Sequence, residues 1–158
     1  NVSQFLANPD FAQQGYIFSE PFVAKTKGGD PLSLLVADIG FNPYASVLIV
    51  TENTLNDKAE IVRAFVQASK EGWKKYLEDP METNIHINKL NPEMGIEILA
   101  YGAEQSQRLV LDEVSTKNGI GHMTAERWNT LHKQMQNAGL IESDPSKVST
   151  AYDTKFLK

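Results

Sequence analysis

Three short runs rich in aromatic, aliphatic and β-branched residues fall within the first third of the chain. They are Tyr16-Ile17-Phe18, Leu32-Ser33-Leu34-Leu35-Val36-Ala37 and Ser46-Val47-Leu48-Ile49-Val50-Thr51. Each predicts a short buried strand. The third is almost wholly apolar, as a strand covered on both faces should be. After Thr51 the apolar spacing turns helical. Three short strands make a poor sheet for an isolated α/β domain of 158 residues. The pattern therefore predicts helices that lean on a sheet completed by residues outside this chain.

Proline and glycine punctuate the rest. Residues 1–14 read as a short helix or turn. Pro21 suits the first turn of a helix through Phe22-Val23-Ala24-Lys25, and Gly28-Gly29-Asp30-Pro31 stops it. Asp38 to Tyr44 (DIGFNPY) reads as a loop. Asp57 with Glu60 predicts a capping box. It opens a helix whose 3.6-residue repeat runs through Ile61, Phe65, Ser69, Gly72 and Tyr76, with Val62, Val66, Trp73 and Leu77 beside it. The helix should end before Asp79-Pro80. Asn91-Pro92-Glu93 predicts the next helix start, with Ile96, Leu99, Ala103 and Val110 on the buried side. Thr124 predicts the cap of a third helix ending at Gly139. Tyr152 and Phe156 should dock the polar tail that runs from Ser143 to Lys158.

Composition excludes several classes. A net charge of −5 and a 41% apolar content fit a globular protein. They give no basic footprint for nucleic acid or an anionic membrane. No apolar run approaches the roughly 20 residues of a membrane span. The absence of cysteine removes disulfides, thiolate nucleophiles and zinc–thiolate sites. The chain starts at Asn1 without a Met and reads as processed or truncated, so the lack of a signal peptide carries no weight.

The order of features resembles a known family. GYIFSEPFVAKTKGG, then PLSLLVADIGFNPYASVLIVTENTL, then KAEIVRAFVQASKEGWKKYLEDP is similar to the C-terminal half of type II periplasmic substrate-binding proteins of ABC importers. The nearest group is the nitrate/sulfonate/taurine and thiamine-pyrimidine-precursor binding family. The resemblance covers roughly residues 4–140 and rests on the ordered combination rather than on one motif. It implies an α/β, periplasmic-binding-protein-like type II fold, present here in part. Residues 1–42 would be part of lobe 2, residues 43–47 the hinge crossover, and residues 48–158 the mostly helical C-terminal part of lobe 1. The family's first half, with one wall of its cleft, would lie outside these residues. The resemblance also implies a small-molecule ligand held between lobes, hinge closure, an ABC permease as partner, and a bacterial periplasmic or extracellular location, lipid-anchored forms included.

Candidate ligand contacts follow from both lines. Ligand sites in open α/β sheets lie beyond the carboxyl ends of strands, and Ser19 and Glu20 follow the first run there. The competing reading of Glu20 is a first-turn acid favoured by the helix dipole. Tyr44, in a Pro-flanked crossover, is suited to stacking or hydroxyl bonding with a ligand, or to hinge packing. Asn42 and Ser46 flank it as weaker polar candidates. Asp38 reads as a loop cap rather than a cleft residue. Gly28-Gly29 lacks the spacing and the Lys-Ser/Thr of a phosphate loop. His86, His122 and His132 have no metal-ligand spacing, and no nucleophile motif occurs, so neither a metal, a cofactor nor a catalytic residue is expected. Trp73 and Trp128 read as helix packing residues. The KEGWKK run is a solvated helix face.

The favoured function is solute binding without chemistry. Two alternatives stay open: a pyrimidine-precursor synthase-like enzyme and the sensor domain of a signalling protein. The synthases of this superfamily use a cysteine-rich motif that this chain lacks. Aromatic and acidic candidates, with no Arg or Lys in these segments except Lys25 and Lys27 near a helix end, favour a planar, N–H-bearing ligand over sulfonate or nitrate.

Overall fold

A computed structural model describes residues 2–142 and 144–157. Asn1 and the two ends of the expected tail, Ser143 and Lys158, lie outside the described residues. In chain order the elements are α1 (Ser3–Ala7), α2 (Glu20–Thr26), α3 (Glu52–Asp57), α4 (Ala59–Glu78), α5 (Met81–Leu90), α6 (Ile96–Val110), α7 (Glu113–Asn118) and α8 (Ala125–Asn137). A 3-10 turn, Pro145–Thr150, follows. The chain divides into two compact units, Asn1–Leu35 with Gly72–Glu113 and Val36–Glu71 with Val114–Lys158.

Among the described residues there is no strand, which corrects the expectation of three. Residues 16–19 form a turn instead, with the Ser19 and Glu20 N–H groups donating to the Tyr16 carbonyl. The second run is split: residues 32–35 are irregular and Val36 opens a turn closed by the Phe41 N–H on the Val36 carbonyl at 3.1 Å. The third run is irregular throughout. The physical reason is pairing. A strand is defined by a ladder to a neighbour, and among the described residues 31–35 and 45–50 make no backbone–backbone hydrogen bond. The side chains stay in water as a result: Leu34 is 83% and Ile49 86% exposed.

Unit one is built around α6, against which α2 and α5 pack. Leu99 and Ala103 of α6 and Ala24 of α2 are buried, and the Phe22 and Tyr101 rings meet at 5.2 Å. A side chain on Gly102 would come within 3.2 Å of the Phe18 carbonyl, so a glycine lets the 16–19 turn lie on this helix. The Tyr101 hydroxyl donates to the Ile17 carbonyl at 3.0 Å and fixes the turn. Asn84 of α5 is only 1% exposed, and its Oδ1 accepts from the hydroxyl of Tyr76 in α4 at 3.0 Å. Burial at that site pushes the Tyr76 phenol above its ordinary value.

Unit two packs α8 against the 3-10 turn. Val62, Val148 and Phe156 are its buried apolar side chains. The tail docks as expected. Trp128 and Tyr152 stack at 5.2 Å and 7°. Gln67 Nε2 and Lys70 Nζ of α4 donate to the Phe156 and Leu157 carbonyls, each at 2.6 Å.

Helix ends follow the sequence in part. Gly28 has φ +86° and closes α2 in a Schellman motif: its N–H meets the Lys25 carbonyl and the Gly29 N–H the Ala24 carbonyl. Gly139 closes α8 in the same way through Gln136 and Met135. Thr124 caps α8, its hydroxyl accepting from the Arg127 N–H at 3.3 Å. α4 ends at Glu78, ahead of Pro80. Two starts are corrected. Asp57 closes α3, and α4 begins after Lys58, whose carbonyl accepts from Ile61 and Val62. Asn91 builds a turn, its Oδ1 accepting from the Glu93 N–H, and α6 begins only at Ile96. Helices α3, α5 and α7 were not expected. Of the α4 repeat, Ile61 and Phe65 stand 64% and 61% exposed.

Tyr76→Phe leaves the buried Asn84 carbonyl oxygen without its donor. The expected outcome is a loss of about 1–2 kcal/mol in urea unfolding; an unchanged midpoint would show that water satisfies Asn84 as well.

Candidate functional site

Glu20 is the first residue of α2, behind Ser19 at the N-cap and ahead of Pro21. Its carboxylate folds back over the preceding turn. Oε2 accepts from the Tyr16 N–H at 2.8 Å and from the Ser19 hydroxyl. Gly15 makes room for this: a Cβ there would lie 3.1 Å from Glu20 Cβ and 3.2 Å from its Cγ. Partial burial works to raise the carboxyl's pKa. The bonds from Ser19, Tyr16 and its own backbone N–H outweigh that effect and hold it below the ordinary value of 4.5. Glu20 is thus ionised at neutral pH and fixed in orientation. The Tyr16 and Ser19 bonds both fall on Oε2.

This carboxylate lines a shallow pocket of about 130 Å³ within unit one, with Phe5, Tyr16, Leu32 and Leu34 among its walls. Tyr16 was expected inside a strand, yet it is 62% exposed and stacks on Phe18 at 5.1 Å. An aromatic face, an apolar wall and an anionic acceptor are the parts that hold a planar heterocycle bearing N–H groups. Sequence reasoning named Ser19 and Glu20 as candidates and did not name Tyr16. The available signal was its position four residues before Glu20, within reach of a carboxylate turning back.

Asn42, Tyr44 and Ser46 belong to unit two. The first two are gripped by α8. The Tyr44 hydroxyl accepts from the Thr124 N–H at 2.9 Å. Arg127 Nε donates to the Asn42 carbonyl at 2.5 Å, and its terminal nitrogen donates to Asn42 Oδ1 at 2.6 Å and to the Pro43 carbonyl at 3.1 Å. The same guanidinium lies over the Tyr44 ring, 4.2 Å from its centre. Gln134 Nε2 adds a bond to the Gly40 carbonyl at 2.8 Å. Residues 40–44 are therefore held in one shape by a planar fork and an aromatic face. Nothing in the sequence signalled Arg127, which lies 85 positions from Asn42. Ser46 is exposed two residues beyond this clamp, and Asp38 is exposed in the 36–40 turn.

Among the described residues, no group of three or more His, Asp or Glu side chains is placed to hold a metal ion. No helix among them is long and apolar enough to cross a membrane.

Comparison with known proteins agrees with the order of features. A profile of the NMT1/THI5-like family matches residues 2–83, and the chain belongs to that family. The riboflavin-binding protein RibY of Chloroflexus aurantiacus is 29% identical over 146 residues, covering 90% of this chain. The chain spans 41% of RibY's own length. No solved structure matches the chain.

Two outcomes test this geometry. Glu20 has a depressed folded-state pKa, so its stabilisation is fully present above 4.5 and fades as pH falls through the lower folded value. The stability gap between the parent chain and Glu20→Gln should therefore narrow on acidification below pH 4.5, measured by urea unfolding at stepped pH; a pH-independent gap would show that the charge plays no part. Arg127→Ala should cost about 1–2 kcal/mol and open residues 40–44 to limited proteolysis, with cleavage mapped by mass spectrometry.

Proposed function

We propose that this chain contributes to a solute-binding protein of an ABC-type import system, which holds a small molecule without transforming it. Family membership and the fixed, ionised Glu20 beside the exposed Tyr16 ring support this reading. The orientation of Glu20 by Tyr16 and Ser19 is the observation that carries it. A carboxylate set in place before binding loses little further entropy when it accepts an N–H.

The ligand class we propose is a planar heterocycle with N–H donors. RibY's name supplies one example of the class, riboflavin, whose isoalloxazine ring is flat and bears an N–H. Nitrate and sulfonates fit less well, because a fixed carboxylate repels them. Ser19, Glu20 and Tyr16 are the proposed contacts in unit one. For unit two, Asn42, Tyr44 and Ser46 remain proposed contacts, with Arg127 setting the shape of the first two. The resemblance further supports a periplasmic-binding-protein-like type II architecture, with residues 43–47 as crossover, an ABC permease as partner, and a periplasmic or extracellular location.

Titration of riboflavin fluorescence against a protein carrying these residues tests the reading. Saturable quenching is expected, with affinity falling about tenfold or more in Glu20→Gln, as befits loss of a charge-assisted bond. Unchanged affinity in that variant, or tighter binding of nitrate or taurine in competition, overturns it.

A further inference from the structure

Trp128 joins the crossover of unit two to its tail. Its ring lies flat on Tyr152, 5.2 Å away at 7°, and meets the Tyr44 ring at 5.8 Å and 41°. Among the described residues its shielded indole N–H has no hydrogen-bond partner. Packing, with no polar bond at the nitrogen, therefore holds the indole in place. Tyr44 takes its position from the same turn of α8. The Arg127 guanidinium lies 4.2 Å from its ring centre, Trp128 stands beside it, and its hydroxyl accepts from the Thr124 N–H at 2.9 Å. A cation over a ring fixes the distance from its face and leaves the ring free to slide. The tilted indole closes that freedom.

Tyr152 is held from both directions along the chain. Before it, the 3-10 turn packs on α8 and buries Val148. After it, Phe156 is buried under Arg63, and the Phe156 and Leu157 carbonyls are bound by Gln67 and Lys70. Val148 and Phe156 are thus the buried apolar anchors of the tail. Tyr152, only half-buried, adds something else: a flat face against which Trp128 is set.

We propose that Tyr152 is a positioning residue for the unit-two contacts: through Trp128 it sets the Tyr44 ring, and with it the Asn42–Tyr44 segment offered to the solute. The inference rests on the reading of Asn42 and Tyr44 as ligand contacts. Close-packed rings pass on a displacement because they have no slack. Without the Tyr152 ring the indole turns into the space left and draws back from Tyr44. The Tyr44 hydroxyl then loses its alignment with the Thr124 N–H, a bond that weakens steeply off line. Release of the tail from α4 has the same effect, so docking of residues 151–157 regulates how well formed these contacts are.

The Thr124 amide reads the Tyr44 hydroxyl directly. Its hydrogen exchange in the 158-residue chain, followed residue by residue by NMR, tests the proposal. Tyr152→Ala should speed exchange at Thr124 roughly three- to tenfold, the worth of one aromatic pair, while amides from Leu131 to Gln134 within α8 keep the parent rate. Tyr152→Phe retains the ring and should restore the parent rate at Thr124. In a Tyr44→Phe background Thr124 already lacks its acceptor, so Tyr152→Ala should add nothing, a non-additivity that lost tail packing alone does not produce. Riboflavin affinity of a protein carrying these residues should fall by a similar factor in Tyr152→Ala and recover in Tyr152→Phe. Unchanged Thr124 exchange in Tyr152→Ala, additive effects in the double variant, or equal acceleration along all of α8 overturns the positioning role. Parent-like riboflavin affinity in a Tyr152→Ala protein whose Thr124 exchange has risen overturns its link to the solute. A parent protein that does not bind riboflavin strikes the ligand class instead, and exchange at Thr124 still decides the positioning role.

Discussion

A backbone amide in an apolar run must find a partner or stay in water, and most of this structure follows from that constraint. Helices meet it within themselves. Their ends meet it through the Thr124 hydroxyl and the Schellman pairs at Gly28 and Gly139. The runs at 31–35 and 45–50 have no such internal solution, and among the described residues their amides are unpaired. The ordered parts of each unit are therefore helical, and the apolar surface left in water is concentrated where strands were expected.

Side chains supply backbone partners where regular structure does not. Tyr101 reaches the Ile17 carbonyl, Arg127 and Gln134 reach residues 40–43, and Gln67 and Lys70 reach the last carbonyls of the tail. Glu20 does the same for Tyr16. That bond has a double effect: it closes a turn and sets a carboxylate in one orientation. A structural role and the proposed binding role of Glu20 are therefore not competitors, because the bonds that place it against the helix start are those that keep it ionised.

Local chemistry was legible in the sequence, and pairing was not. Gly28, Thr124 and Gly139 announced helix ends because caps depend on near neighbours. Phe156 and Tyr152 announced docking because a large apolar side chain in a polar tail has few other uses. Asn91-Pro92-Glu93 misled, since an Asn side chain serves an isolated turn as readily as a cap. The strands failed for a different reason. Apolar β-branched runs state a preference, while a strand also needs a neighbour, and that neighbour cannot be read from the run itself. Arg127 was invisible for the same reason, its partners lying 84 and 85 residues away. Ser19 and Glu20 were named as candidates from their position after an apolar run, and the structure puts them at a turn rather than a strand end.

The two tryptophans are divided between the units. Trp73 belongs to unit one, half exposed and edge-on to Tyr76, and Trp128 belongs to unit two, stacked on Tyr152 with its indole nitrogen shielded from solvent. Their surroundings differ enough to separate their emission, red-shifted for Trp73 and blue-shifted for Trp128. Each unit thus carries its own optical reporter. A chain keeping one indole at a time would reveal whether the units melt together or in sequence, without any added label.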